Sequence, residues 1–189
     1  MKKFLSILTI LFVLSTFSFS KAFSQGSAFP LGTLGINLGL GLGTTGYYNN
    51  GDFLVTTFNG AVDYAFLGDI INSNGSISGG GYFGIGGGSD KWDGHQTKAF
   101  RFRAGTRGAL HYTWVRNLDT YAGLGIGFRN SKYKAKWKGH NEWDKAPNEI
   151  DFDIHGFAGV RYILGNFAFY SELETNDFAF FQIGISFVF

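Results

Sequence analysis

A histidine beside a hydroxyl could serve as the general base of a hydrolase, and the pair that the sequence offers is His111 and Thr113. Hydrolysis by this route requires the base to lie within hydrogen-bond reach of the attacking oxygen. Thr113 falls where the pattern predicts a turn, and it is not an obvious nucleophile. We therefore predict that the protein is not an enzyme.

The other three histidines also lack the surroundings of a catalytic or metal-binding group. His155 is expected to point to the same side of its strand as Asp153, as a satisfied interior residue. His95 and His140 stand in loops without the spacing of metal ligands. The chain has no cysteine, which excludes disulfides and Cys-ligated metals. We expect neither a metal nor a cofactor.

Five arginines and five acids occupy alternate positions in otherwise apolar segments. An isolated charge outside bulk water is costly unless it is paired and hydrogen-bonded. The arginines between 101 and 107 are expected near Asp119, and Arg161 is expected near Glu172 and Glu174. We predict a buried ion-pair network in the lumen of a barrel. Its members are Asp63, Arg101, Arg103, Arg107, Asp119, Arg129, Asp153, Arg161, Glu172 and Glu174.

Eight segments alternate between large apolar residues and small or polar ones, with the period of two that marks a β-strand. Their ranges are 32–43, 55–66, 77–88, 98–112, 119–129, 151–163, 167–174 and 179–189. Each has about the length of a tilted membrane strand, and bacterial single-chain barrels have an even number of strands. Lipid offers unpaired backbone groups no partner, so such a sheet must close. We predict an all-β, eight-stranded antiparallel up-and-down transmembrane β-barrel.

The last segment shows the alternation most clearly, with Phe181, Ile183, Ile185, Phe187 and Phe189 on one face. Chain ends usually fray, so a soluble sheet rarely places a large apolar row there. A terminal Phe that closes an alternating strand is typical of bacterial outer-membrane barrels. We predict that these residues form the C-terminal signal for the barrel-assembly machinery.

Short and long links alternate along the chain, which places both termini on the periplasmic side. The predicted turns are 67–74, 113–118 and 164–166, and the predicted outer loops are 44–54, 89–97, 130–150 and 175–178. Eight strands enclose only enough room for their own side chains, so we predict a plugged lumen. A narrow channel or a small-ligand-binding barrel is the alternative. A lipid-modifying outer-membrane enzyme is a third interpretation, although His111 would lie at the periplasmic end, far from outer-leaflet lipid.

The first 24 residues have the basic start, apolar centre and small-residue end of a secretory signal peptide. We predict cleavage after Ser24, which leaves residues 25–189 as one barrel domain in the outer membrane. The formal net charge of +2 is too small to indicate a nucleic-acid partner. The expected partners are outer-membrane lipids, and we expect a monomer.

Four lysines follow the fifth segment at alternate positions, namely Lys132, Lys134, Lys136 and Lys138. If the strand continues outward, they share one face just above the hydrocarbon. There they are predicted to meet the phosphates of lipopolysaccharide. The alternative is a solvated hairpin whose lysines keep an exposed edge from aggregating.

Several stretches carry glycine, aromatic and arginine residues at barrel spacing. They are GTRGALHY at 105–112, LDTYAGLGIGF at 118–128, GVRY at 159–162, FYSEL at 169–173 and IGISF at 183–187. This series resembles the small outer-membrane barrel ("porin family") domains, which are similar to the outer membrane protein A barrel and outer membrane protein X. The resemblance covers essentially the whole mature chain. It implies a structural or surface-interaction role, because the family includes structural, adhesive and host-interacting members.

Overall fold

The computed structural model describes residues 26–46, 52–92, 94–137, 142–145 and 148–189. The predicted signal peptide, residues 1–24, and Lys138 lie outside these residues. The strands of the described part are β1 (Leu34–Gly46), β2 (Asp52–Ile70), β3 (Gly75–Trp92), β4 (His95–Val115), β5 (Leu118–Lys136), β6 (Asp144–Lys145), β7 (Glu149–Leu164), β8 (Phe167–Glu174) and β9 (Phe181–Val188). No helix within these ranges is long and apolar enough to cross a membrane.

Eight strands form a closed antiparallel ring in the order β1, β2, β3, β4, β5, β7, β8 and β9, and β9 pairs with β1 to close it. The two-residue strand β6 extends only the outer end of β5, with Lys134 opposite Lys145. Each barrel strand pairs with its neighbours along the chain. The predicted eight-stranded antiparallel up-and-down barrel is therefore confirmed.

The strands are longer than the apolar alternation predicts, β5 mainly at its loop end and β2 at both ends. Residues 67–70, which were predicted as part of the turn 67–74, belong to β2 because the pairing with β3 continues to Ile70. β2 spans Asp52–Ile70 instead of 55–66, and β5 spans Leu118–Lys136 instead of 119–129. The added residues continue the antiparallel ladders, which satisfy backbone groups in water as well as in lipid. β8 and β9 have only eight residues each, so the wall is lower on that side.

Large apolar side chains face outward and charged side chains face the axis. Leu124 is 72% exposed and Phe152 is 84% exposed, whereas Arg103 is 2% and Glu172 is 1% exposed. This arrangement is the reverse of a soluble barrel, and it suits a wall surrounded by acyl chains. Exposed aromatic residues occur toward the turn end, at Tyr64, Trp114, Tyr162, Phe169 and Phe189, and toward the loop end, at Phe100, Phe128 and Phe152.

Tight turns join the strands at the end that carries both termini. The β4–β5 turn places Asn117 at φ 66°, and the β7–β8 turn places Gly165 at φ 66°. This left-handed region favours glycine and tolerates asparagine. Both turns lie inside the predicted ranges 113–118 and 164–166.

Glycine makes room for an aromatic ring in the crowded interior. Gly105 and Gly127 are register partners on β4 and β5. A Cβ at either position would lie 2.7 Å from the hydroxyl of Tyr82. At this level β4 and β5 carry no inward side chain, which leaves room for the hydroxyl end of Tyr82.

Candidate functional site

The interior is organised around Arg107 of β4. Its Nε lies 3.0 Å from Asp63 Oδ1 on β2, and its Nη2 lies 3.0 Å from Glu172 Oε2 on β8. The guanidinium carbon is also 3.9 Å from the ring centre of Phe157. All these groups are buried. Because β2 and β8 are not neighbours of β4, this ion-pair group joins strands across the barrel.

A second group lies nearer the loop end, around Arg103. Its two terminal nitrogens bind Glu174 at 2.5 and 2.7 Å, the two-point geometry that a guanidinium makes with a carboxylate. Arg103 is also 3.9 Å from Asp153. Asp153 accepts a 2.9 Å hydrogen bond from Tyr82 and lies 3.3 Å from His155 Nδ1.

A third group fills the turn end. Arg161 lies 3.5 Å from Asp63 and 3.8 Å from Asp119. His111 Nδ1 is 3.0 Å from Asp119 Oδ2, and His111 Nε2 is 2.8 Å from Ser78 Oγ. Asp63 links this group to the central one, because it pairs with both Arg161 and Arg107. Gln182 connects the group around Arg107 with the group around Arg103, because its Nε2 donates to both Glu172 and Glu174.

The individual pairings differ from those expected. Asp119 contacts Arg161 and His111, and no ion pair joins it to Arg101, Arg103 or Arg107 in the described residues. The register explains this, because Asp119 stands opposite Thr113 on β4 and opposite Arg161 on β7. Glu172 and Glu174 reach across the interior to β4 instead of pairing with Arg161.

Two predicted members lie at the outer rim and share a partner that sequence reasoning missed. Arg101 Nη2 is 3.0 Å from Asp177, and Arg129 Nη1 is 2.5 Å from the same carboxylate. Arg129 also lies 3.8 Å from Asp151. Asp177 belongs to the β8–β9 link, and no alternation marks a side chain there as inward-facing.

One fully buried phenylalanine lies toward each end of the interior. At the turn end, the ring of Phe29 stacks on His111 at 4.5 Å and lies 4.8 Å from the Arg161 guanidinium. At the loop end, the ring of Phe178 lies 4.4 Å from the Arg103 guanidinium and 5.2 Å from that of Arg101. Both rings are fully buried. Between them, a cavity lined by Arg103 and Arg107 has a volume of about 10 Å³, space for a single water.

Ser78, His111 and Asp119 have the order of contacts found in a hydrolytic triad, with His111 between the other two. Sequence reasoning paired His111 with Thr113, but Thr113 Oγ1 instead accepts a hydrogen bond from the backbone of Ala28. The three triad-like residues are 1% exposed or less, and Phe29 covers the imidazole. The arrangement is a buried hydrogen-bond chain at the turn end of the barrel.

Lysines form a second feature, on the outer face above the apolar band. Lys132 and Lys134 of β5 are exposed, and Lys136 is partly exposed. Lys134 is the register partner of Lys98 on β4, whose ammonium lies 4.8 Å from the ring of Trp143. Lys98 was not among the predicted lysines. We call Lys98, Lys132, Lys134 and Lys136 the lysine face.

No group of three or more potential ligand side chains, whether His, Cys, Asp or Glu, is placed to hold a metal ion in the described ranges.

No protein-family model matches the sequence. No curated protein shows significant similarity to it. Among solved structures, the chain is similar to Ail, the attachment invasion locus protein of Yersinia pestis, at 15% identity and a TM-score of 0.53. The match covers 84% of this chain and 99% of that one. The same protein in complex with the heparin analogue sucrose octasulfate matches at 12% identity and a TM-score of 0.51, with the same coverage of both chains. The chain therefore has the fold of the small transmembrane outer-membrane β-barrels, as the sequence resemblance implied.

Proposed function

We propose that the chain is a non-enzymatic outer-membrane barrel, with a lumen plugged by its own side chains and a structural or surface-interaction role carried by its outer loops. The single observation that carries the proposal is the continuous network of ion pairs and hydrogen bonds from Asp119 to Glu174 across the interior, in which Gln182 connects Glu172 with Glu174. Such a network occupies the space that a channel or a ligand would need. The outer-membrane barrel fold supports localisation in an outer membrane.

The plug can be tested by conductance in planar lipid bilayers. We expect the wild-type barrel to stay closed, because paired charges fill the interior and a phenylalanine covers each end. We expect R107A to open a measurable conductance, since the central guanidinium spans the interior between Asp63 and Glu172. R116A, a change at an exposed turn, is the control. A wild-type barrel that conducts steadily would favour the narrow-channel alternative instead.

We propose that Lys132, Lys134, Lys136 and Lys138 contact the phosphates of lipopolysaccharide; the first three belong to the lysine face. The support is positional, because Lys132 follows Phe128 by two outward positions and so stands just beyond the aromatic border. The similar structure that holds a sulfated heparin analogue gives a fold-level precedent for binding a polyanion. The predicted contact residues, including Lys138, are proposed to act together through charge.

A quadruple variant tests this contact. Replacing Lys132, Lys134, Lys136 and Lys138 by Gln should lower the lipopolysaccharide that co-purifies with the folded barrel. The matched control replaces the same four residues by Arg, which keeps the charge and should keep the lipid. If the Gln variant retains as much lipopolysaccharide as the Arg variant, the lysines serve the hairpin alone.

Biogenesis and topology complete the proposal. We propose that the signal peptide is cleaved after Ser24 and that a monomer is assembled through the C-terminal residues from Phe181 to Phe189. Mass spectrometry of the purified protein should give Gln25 as its first residue. Heat-modifiable mobility on gels should report the folded barrel, and protease added to intact cells should cut within 132–145.

Mass spectrometry of lipid A with and without the gene would reveal a lipid-modifying enzyme as a change in acylation.

A further inference from the structure

A short segment ahead of β1 folds back across the turn end of the barrel. In residues 26–33, the side chain of Phe29 is fully buried, whereas those of Pro30 and Leu31 are exposed. A segment outside the sheet therefore sends one large ring into the interior. We call residues 26–29 the strap.

A tight turn joins the strap to β1. The N–H of Thr33 donates to the Pro30 carbonyl at 3.1 Å, and Gly32 has φ 84°, the left-handed geometry that the third position of a type II turn requires. The turn is tied to β2, because Gly32 N–H donates to the Ala65 carbonyl at 2.8 Å and Ala65 N–H donates to the Thr33 carbonyl at 2.9 Å. The turn is therefore part of the wall, and the strap is the part that can leave it.

Side-chain hydroxyl groups hold the strap, in a stretch that belongs to no strand. The N–H of Ala28 donates to Thr113 Oγ1 at 2.7 Å, and Ser76 Oγ donates to the Phe29 carbonyl. The Phe29 N–H donates to Ser27 Oγ at 3.2 Å, within the strap itself. Segments outside the core strands open at a lower free energy than the strands do.

The ring of Phe29 covers buried polar groups that lack partners. It stacks on His111 at 4.5 Å and lies 4.8 Å from the Arg161 guanidinium. Arg161 is fully buried, and none of its three side-chain nitrogens makes a hydrogen bond in the described residues. The Tyr121 hydroxyl, also buried, makes none there either.

The donors of Arg161 are suited to binding water. The carboxylates of Asp63 and Asp119 are 3.5 and 3.8 Å from it, longer than a normal N–H···O hydrogen bond but short enough for a water to bridge. Buried donors without a partner are costly, and ordered water satisfies such groups in folded proteins. When Phe29 leaves, the volume of its ring becomes available to water beside the guanidinium.

We propose that the strap is a gate at the turn end, which releases Phe29 reversibly and admits water and small solutes to the group around Arg161. In the closed state the ring covers the guanidinium through a cation–π contact, and in the open state water hydrogen-bonds to the same donors. The gate goes beyond the role proposed above. It rests on the plugged lumen only for the inner limit of entry, which is the group around Arg107.

The test uses single-cysteine reporters, since the chain has no cysteine of its own. S78C places a thiol beside His111, under the strap. T57C places one beyond the plug, because Thr57 stands opposite Gly86, which stands opposite Arg101. Both reporter positions are 1% exposed. The folded barrel in nanodiscs is treated with N-ethylmaleimide, and intact mass spectrometry follows the adduct.

We expect S78C to react slowly and S78C/F29A to react at least about tenfold faster, because the deleted ring is the main buried group of the strap. S78C/F178A is the matched control, a ring deleted at the other end, and should stay within about twofold of S78C. T57C should stay unlabelled in the F29A background.

A second variant keeps the ring and loosens the strap. T113V removes the acceptor of the Ala28 N–H and should raise the labelling rate of S78C at least about threefold. Heat-modifiable mobility confirms that each variant is folded before it is labelled.

Equal labelling of S78C in the parent, F29A and T113V backgrounds would overturn the gate. Equal acceleration by F178A and F29A would overturn it as well. Fast labelling of both S78C and T57C in folded F29A, with both slow in the parent, would support the gate and refute the plugged lumen alone.

Discussion

Replacing Arg107 by Met should cost a large fraction of the barrel's stability. Met keeps much of the side-chain length but removes the charge between Asp63 and Glu172, both of which are 1% exposed. Breaking a buried ion pair by removing one partner costs about 3–5 kcal/mol. Asp63 keeps Asn37 and Arg161, and Glu172 keeps Gln182, so we expect the lower end, about 3 kcal/mol.

The assay is equilibrium unfolding by urea from phospholipid vesicles, followed by tryptophan fluorescence and by heat-modifiable mobility. R129M is the matched control, because Arg129 pairs with Asp177 and Asp151, whose side chains are about half exposed. Screened pairs of this kind contribute about 0–1 kcal/mol. The free energy of unfolding should therefore fall at least about three times as far in R107M as in R129M.

A double variant separates charge pairing from packing. R107M/E172M removes both charges, and well-packed apolar replacements of a buried pair are often neutral. It should be more stable than R107M alone, with a coupling free energy of about 1–3 kcal/mol between the two sites. Equal losses in R107M and R129M, together with strictly additive effects in the double variant, would show that the interior charges are solvated and unpaired in the membrane.

Three further changes test the wall, the turns and the C-terminal signal. G80A should block folding into vesicles, because a Cβ there would collide with the Val62 carbonyl, whereas G87A should fold normally since its nearest contact would be 3.6 Å away. G165A should lower the unfolding free energy by about 1 kcal/mol, because its φ of 66° is left-handed, as a urea midpoint can show. Deletion of Phe189 should slow barrel assembly in cells while leaving refolding of the purified protein intact. Normal accumulation of the truncated chain in the outer membrane would refute its role as a signal.

The fold could be predicted from the sequence because the face of each residue depends on local order alone. In β4, Phe100 and Phe102 alternate with Arg101 and Arg103, and a period of two assigns each pair to its side of the wall. The same pattern predicted the strand number and the positions of the turns, although the first turn begins after Ile70 and not at Leu67. It could not set the outer ends of β2 and β5, because the ladders continue after the apolar alternation stops.

The contacts inside the barrel depend on information that no single segment carries. Arg107 and Glu172 are 65 residues apart on β4 and β8, two strands that are not paired with each other. Their contact therefore follows from the register and closure of the whole ring. Phe178 and Asp177 come from a link without periodicity, and a phenylalanine in a polar loop was the only available signal. The Ser78–His111 contact is diagonal across β3 and β4, so it required the register as well.

The inward charges also explain how one register is selected. A one-residue slip of a strand moves every side chain to the other face. In β4 such a slip would turn Arg101, Arg103 and Arg107 toward lipid, where each arginine costs about 2–4 kcal/mol near the midplane and less toward the interfaces. Because Arg101 lies at the outer rim, the three residues together cost roughly 4–9 kcal/mol, which is comparable to the whole stability of a folded domain at about 5–15 kcal/mol. The ion-pair network therefore need not add much net stability, because the cost of exposing its members to lipid is enough to exclude slipped barrels.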